Sequence, residues 1–263
     1  MHPILFRIGS FEIGTYGVLL ALGFLVALWL AKRLAKQDGI APDAITDISL
    51  VLLIAGILGA KLLMVIVDVV NGESMSQVFS LNTLRAGGAV HGGILVATAA
   101  FFWRVRLLKL PLAKTLDSLT SAVPLGQAIG RLGCIAAGCC YGAYCDKPWA
   151  ITYHNYDAAR FGTPLELTLH PVQIYFGLSN LVILGAMLKF RHFKKFQGQA
   201  ASLYFIMEGC FRLILETWRG DIDRGFWLNL PWLSTGRITA LIFILIGAGI
   251  WTWFSRAARQ AKA

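Results

Sequence analysis

Several ionisable side chains stand where the surrounding residues are almost all apolar. Arg131 lies in Gly130-Arg131-Leu132-Gly133. Glu208, Arg212 and Glu216 follow one another at i, i+4 and i+8, with Arg219 three further on, a spacing that places all four on one face of a helix. His91 lies in Gly87-Gly88-Ala89-Val90-His91-Gly92-Gly93, where paired glycines on both sides let other backbone, or a ligand, come close. Lys61 interrupts an apolar run, and Arg237 opens another. A charge inside a bilayer costs at least a few kcal/mol and marks a functional site by default. Guanidinium forks match phosphate oxygens bidentately, and an imidazole moves protons near neutral pH. Arginines and one histidine in a membrane cavity therefore suit an anionic phospholipid headgroup.

Each feature also has a plainer reading. The Glu208 to Arg219 ladder is equally compatible with a structural ion-pair network within one helix. His91 also fits a satisfied buried histidine, and Lys61 and Arg237 fit side chains that snorkel to the surface. Arg131 is harder to dismiss, because it sits between glycines in a broken span, where non-helical backbone is tolerated only against protein or water.

The elements that must carry these residues are membrane spans. The chain has 263 residues, of which 57% are hydrophobic and only 14% charged. A soluble domain carries roughly a quarter charged residues. Mean hydropathy is +0.65. These values exclude a disordered chain, a disulfide-rich miniprotein and an ordinary soluble enzyme. They predict one polytopic membrane domain over residues 1–263. The net charge of +10 does not indicate nucleic acid, because the basic residues cluster between apolar runs. Seven spans are expected, at about 15–32, 46–67, 90–104, 115–136, 171–189, 200–218 and 236–254, the fourth interrupted by Pro124 and three glycines.

Basic residues sort by side. Fourteen fall in loops on one side, including Lys32, Arg33, Lys109, Lys195 and Arg259, against six on the other, namely Arg7, Arg85, Lys147, Arg160, Arg219 and Arg224. The positive-inside rule puts the fourteen in the cytoplasm and the N-terminus in the periplasm. Arg131, Arg212, His91 and Lys61 then occupy the outer halves of their spans. The first apolar run is followed, not preceded, by its positive charges, so it reads as an anchor and not a cleaved signal. Residues 138–170 form the one long extramembrane segment, with Trp149, Tyr153, Tyr156 and Phe161 suited to the outer interface.

Four of the five cysteines cluster: Cys134, Cys139, Cys140 and Cys145. A structural bridge or small buried thiols is the leading reading, and three pairings are open. A redox function lacks a Cys-x-x-Cys, and a metal site with His154 or His170 fits no standard zinc spacing. Cys210 reads as packing. No metal and no cofactor are implied.

At these residues the chain resembles the prolipoprotein diacylglyceryl transferases of the bacterial inner membrane. The resemblance runs through Met1-His2-Pro3 with Ile8-Gly9, Tyr16-Gly17, His91-Gly92-Gly93, Gly130-Arg131-Leu132-Gly133 to Gly142, His170-Pro171-Val172-Gln173-Ile174-Tyr175, and Phe211-Arg212 to Arg219. It implies an all-α, seven-helix, multi-pass fold with a periplasmic N-terminus and a cytoplasmic C-terminus. It also implies transfer of diacylglyceryl from phosphatidylglycerol, or a related anionic phospholipid, to the lipobox cysteine of a prolipoprotein. By resemblance His91 is the base and Arg131 and Arg212 bind phosphate. Tyr16, Glu216, Arg219, Gly92 and Gly93 help shape the substrate site.

The sequence departs from the family's Asn-Phe-x-Asn-Gly-Glu, which here reads Cys134-Ile135-Ala136-Ala137-Gly138-Cys139. The acidic residue usual after His-Pro-x-Gln-x-Tyr is Phe176, and the frequent tyrosine one turn before Arg212 is Glu208. A membrane thiol–disulfide oxidoreductase built on the cysteine cluster and a non-catalytic lipid-binding relative therefore stand as alternatives.

Overall fold

The computed structural model describes residues 2–9, 11–72, 88–159, 162–221, 225–226, 230 and 232–260. Met1, Arg85, Gly87, Arg160, Phe161 and Arg224, which entered the charge or motif reading, lie outside the described residues. The fold is mostly helical, as expected. Among the described residues four helices are long and apolar enough to cross a membrane: α1 (Thr15–Gln37), α2 (Pro42–Val70), α7 (Val172–Phe190) and α9 (Thr235–Gln260). The other expected spans correspond to shorter helices. These are α3 (Val90–Leu107), a pair formed by α4 (Leu112–Thr120) and α5 (Val123–Ala137), and α8 (Gln199–Leu215). Large apolar side chains point outward along these helices, among them Leu25 (60% exposed), Leu58 (62%) and Leu245 (71%). Such an exterior is stable only against hydrocarbon.

The fourth expected span is broken. It is two helices broken at Ser121 and Ala122. Pro124 has no N–H to offer the Thr120 carbonyl one turn back. Thr120 and Ser121 hydroxyls also donate to the carbonyls of Leu116 (2.8 Å) and Asp117 (2.6 Å). The structure adds two small antiparallel sheets to the expected all-α fold. One is β1 (Ile4–Ile8) with β2 (Phe11–Gly14), turned at Gly9 with φ +60°, and the other is β3 (Ile151–Thr152) with β4 (Thr168–Leu169).

The chain forms two compact units. One is Lys32–Thr115 and the other joins Met1–Ala31 to Leu116–Ala263. In the first, α2 and α3 pack backbone to backbone along small residues, the geometry that lets membrane helices approach closely. A Cβ on Gly59 would come within 2.5 Å of the Gly92 carbonyl oxygen, and one on Gly93 within 2.7 Å of that of Gly56. The Ala89 N–H donates to the Ala60 carbonyl (2.9 Å). Away from the Gly92 contact, Arg104 grips Asp47 bidentately at 2.6 and 2.8 Å.

In the second unit, α1 lies against α5. A Cβ on Gly23 would stand 2.8 Å from the Gly126 carbonyl oxygen, and one on Gly133 3.1 Å from the Tyr16 ring. Helix α8 packs on α9, where the Ser202 hydroxyl donates to the Gly247 carbonyl at 2.6 Å. Buried Asp117 accepts the Gly198 (3.0 Å) and Ala201 (2.9 Å) amides and so caps the start of α8. Between α5 and α7, residues 138–170 enclose a small core of Tyr141, Tyr153, Ala158 and Leu169. Tyr153 is fully buried there, whereas Trp149 and Tyr156 are exposed.

Candidate functional site

The second unit gathers most of the residues picked out by charge. Helix α5 carries Arg131 and Cys134, α8 carries Glu208 and Arg212, and the 3-10 turn Glu216–Trp218 that ends α8 leads to Arg219. The expected straight ladder thus bends after Leu215 and does not run on as one helical face. Arg212 nonetheless lies within electrostatic range of Glu208, Glu216, Arg219 and Arg131.

What distinguishes the three guanidinium groups is their partners. Arg219 is spoken for. It donates Nε to Asp221 Oδ1 at 2.8 Å, makes a second bond to Asp221 Oδ2, and stands 3.9 Å from Glu216. Arg212 donates Nε to the Gly236 carbonyl at 3.3 Å. Arg131 lies over the Phe176 ring, 4.4 Å from its centroid. Among the described residues no carboxylate is in ion-pair contact with Arg131 or Arg212. Buried Glu208 is within electrostatic range of both. Two half-buried cations without direct counterions among the described residues have the chemistry to take an anion.

Glu216 is fixed in place. Ser234 donates its hydroxyl to Glu216 Oε1 at 2.8 Å and accepts the Arg237 amide at 3.2 Å, so one serine joins the carboxylate to the start of α9. A Cβ on Gly236 would overlap the Glu216 carboxylate. Arg237 itself donates to the Trp232 carbonyl at 2.7 Å.

Tyr16 opens α1 on the same side. Its ring packs on Gly133, and its hydroxyl is within range of Arg131 and the Cys134, Cys139 and Cys140 thiols. A groove of about 230 Å³ runs between α5 and α7. Its walls are apolar, Leu125, Ala128, Ile135, Leu178 and Leu181 among them, except for Arg131 and Gln173. In the sequence Gln173 is one polar residue of the His170-Pro171-Val172-Gln173 run, with nothing there to mark it out. It is fully buried and donates Nε2 to the Cys139 carbonyl and the Tyr153 hydroxyl, both at 2.8 Å, while its Oε1 has no partner among the described residues. Burial pushes the Tyr153 phenol up to about 12, against the opposing effect of the Gln173 hydrogen bond.

Helix α5 ends at Gly138, which takes φ +81° as a left-handed cap, and Cys140 is also left-handed at φ +55°. These two turns fold Cys139 and Cys140 back over Cys134. The three sulfur atoms lie within 4.8 Å of one another, and all are free thiols. Arg219 is held beside them because the Ala143 amide donates to the Trp218 carbonyl (2.8 Å) and the Gly220 amide to the Tyr141 carbonyl (3.1 Å). Hydrogen bonding with Cys134 and Cys139 pushes the Cys140 thiol well below the usual range, and Arg131 and Arg219 add to the pull. Cys139 is pushed up by hydrogen bonding with Cys134 and Cys140. Cys145 is buried apart from the trio, its amide bonded to the Thr168 carbonyl at 3.0 Å.

His91, Gly92 and Gly93 belong to the other unit. His91 is the second residue of α3 and is exposed. Gly92 and Gly93 are buried against Gly59, Leu63 and Gly56 of α2, so there the close approach is made by backbone. Lys61 is half-buried on α2.

The sequence matches the family model for prolipoprotein diacylglyceryl transferase over residues 3–253. It is 34% identical over 247 residues to the phosphatidylglycerol–prolipoprotein diacylglyceryl transferase of Clostridium tetani, covering 94% of this chain and 95% of that one. It is 32% identical over 250 residues to the protein of that name from Finegoldia magna (94% and 93% covered), and 28% identical over 255 residues to that from Thermotoga maritima (92% and 81%). The apolar helices, the paired cationic site and these matches converge: the chain belongs to the prolipoprotein diacylglyceryl transferase family.

Proposed function

We propose that this protein transfers a diacylglyceryl group from phosphatidylglycerol, or a related anionic phospholipid, to the lipobox cysteine of a prolipoprotein. The single observation that carries this reading is the pair Arg131 and Arg212, two guanidinium groups in electrostatic range of one another with no carboxylate in ion-pair contact among the described residues, the first of which lines an apolar groove. A phosphodiester satisfies both cations, and acyl chains match the groove. The acceptor sulfur attacks the glyceryl carbon, the C–O bond to phosphate breaks, and glycerol phosphate leaves with the bonding electron pair. Arg131 and Arg212 stabilise the charge that grows on that phosphate. His91 is the proposed base for the thiol proton. Tyr16, Glu216 and Arg219 shape the headgroup site, and Gly92 and Gly93 keep the backbone beside His91 close to its neighbour.

The same proposal sets seven crossings in the bacterial inner membrane, with the N-terminus in the periplasm. Support comes from the fourteen-to-six distribution of basic residues and the apolar exteriors of the helices. The proposal is tested with purified protein in bilayers containing labelled phosphatidylglycerol and a lipobox peptide. The peptide is expected to gain the diacylglyceryl mass. Folded protein that leaves the peptide unlabelled overturns the reading.

A further inference from the structure

The thiol trio at the end of α5 has no part in the reaction just described, and its geometry is that of a ligand set. Three sulfurs on one helix end and the turn that follows lie within 4.8 Å of one another. Sulfurs around one tetrahedral zinc are separated by roughly 3.8 Å, given Zn–S bonds of about 2.3 Å. Closing on an ion therefore needs side-chain rotation only. The turn is built for this convergence: left-handed Gly138 and Cys140 bracket Cys139 and aim both later sulfurs at Cys134. Cys134 is buried while Cys139 and Cys140 are half-exposed, so the cluster has a closed side and an open one. Three thiolates around a divalent ion leave a net negative charge, and Arg131 and Arg219 are in range to balance it.

Ligand type selects the ion. Thiolates favour soft ions such as Zn²⁺ and Cu⁺. Among the described residues no histidine or carboxylate joins the trio, so a tetrahedral ion there keeps one position open. That is the pattern of catalytic and not of structural zinc, in which three protein ligands leave a place for water or substrate.

We propose that Cys134, Cys139 and Cys140 bind a zinc-type ion whose open position takes the acceptor's cysteine thiol. The acceptor half of this inference rests on the transferase reading, while the metal half stands without it. A thiol that coordinates the ion becomes a stronger acid, gives up its proton more readily to the proposed base His91, and binds as thiolate. Its sulfur then forms the S–C bond to glyceryl while the C–O bond to phosphate breaks, as above. The ion undergoes no redox change. This assigns the thiol's activation to the very segment in which three cysteines stand close together.

The experiment uses the full chain in nanodiscs, reduced, stripped with chelator and titrated separately with Zn²⁺, Co²⁺ and Cu⁺. One Zn²⁺ per chain is expected. Co²⁺ should give thiolate charge-transfer absorption of three-sulfur intensity. A cysteine-containing lipobox peptide should shift the cobalt ligand-field bands, and its serine analogue should not. C134S, C139S and C140S should each weaken Zn²⁺ at least tenfold, whereas C145S and C210S should match the wild type. The cobalt spectrum of the unmutated protein keeps the test independent of variant folding. Metal uptake no greater than in the triple serine variant overturns the proposal, as does a disulfide within the trio. Uptake of Cu⁺ without Zn²⁺, or no peptide-induced shift, overturns the open position. Zinc binding without transfer would sink the transferase reading and with it the acceptor half of this inference, leaving the metal site standing, whereas transfer without zinc binding would sink this inference alone.

Discussion

The Arg131 guanidinium lies over the Phe176 ring, 4.4 Å from its centroid. An acidic side chain there would neutralise Arg131. The ring holds the cation by its quadrupole, a contact worth about 0.5–2 kcal/mol, and leaves the N–H donors free for an anion. Phe176→Leu should therefore raise the KM for phosphatidylglycerol several-fold with a small change in kcat, measured in mixed micelles of varied phosphatidylglycerol fraction.

Charge alone is not enough at these positions. Arg131→Lys and Arg212→Lys keep the charge but lose the planar fork that grips two oxygens. Each should lower kcat/KM at least tenfold, which corresponds to about 1.4 kcal/mol of transition-state stabilisation. Alanine at either position should cost more. Arg219→Lys should cost less, because Asp221 already occupies that fork.

The α2–α3 contact makes a prediction about stability. Gly59→Ala places a methyl group within 2.5 Å of the Gly92 carbonyl oxygen, so the helices must part. Overpacking of this kind costs about 1–3 kcal/mol. The thermal midpoint in detergent should fall by several degrees. Gly185→Ala on α7 meets nothing within 4 Å and should leave the midpoint unchanged or raise it.

Cys140 is held toward its thiolate form by Cys134 and Cys139 and by Arg131 and Arg219. An ordinary thiol, with a pKa near ~8.5, loses reactivity about tenfold per pH unit below that value. A thiol whose pKa is lowered stays ionised further down the pH scale, so alkylation of Cys140 in the metal-free protein should fall less steeply from about pH 8 to pH 6 than that of an ordinary thiol. Mass spectrometry of iodoacetamide-treated protein checks this, and a steep fall over that range would contradict the assigned electrostatics.

Much of the site was legible in the sequence, because charges in apolar runs have few reasons to exist. Arg131, Arg212, Glu216 and Tyr16 fall in one unit. Other features depended on chain geometry that pattern does not encode. The break at Ser121 and Ala122 follows from Pro124, which had been read only as an interruption. The bend after Leu215 turns Glu216 toward Ser234, a partner eighteen residues away. Arg219 shares a helical face with Arg212 in the sequence pattern, which does not show that Asp221 grips it. Gln173 is polar and therefore inconspicuous in a motif, and its burial with an orphaned Oε1 is a tertiary property. The cysteines showed proximity in sequence, but their convergence required two left-handed residues.

The central claim is cleavage of the glyceryl C–O bond on an anionic lipid held by Arg131 and Arg212. Its most direct test is to identify both products when phosphatidylglycerol labelled in its glycerol headgroup meets a lipobox peptide. The account predicts thioether-linked diacylglyceryl peptide and glycerol phosphate in equal amounts, with both lost in R131A and R212A. Release of free glycerol, or of phosphate attached to the peptide, would contradict it.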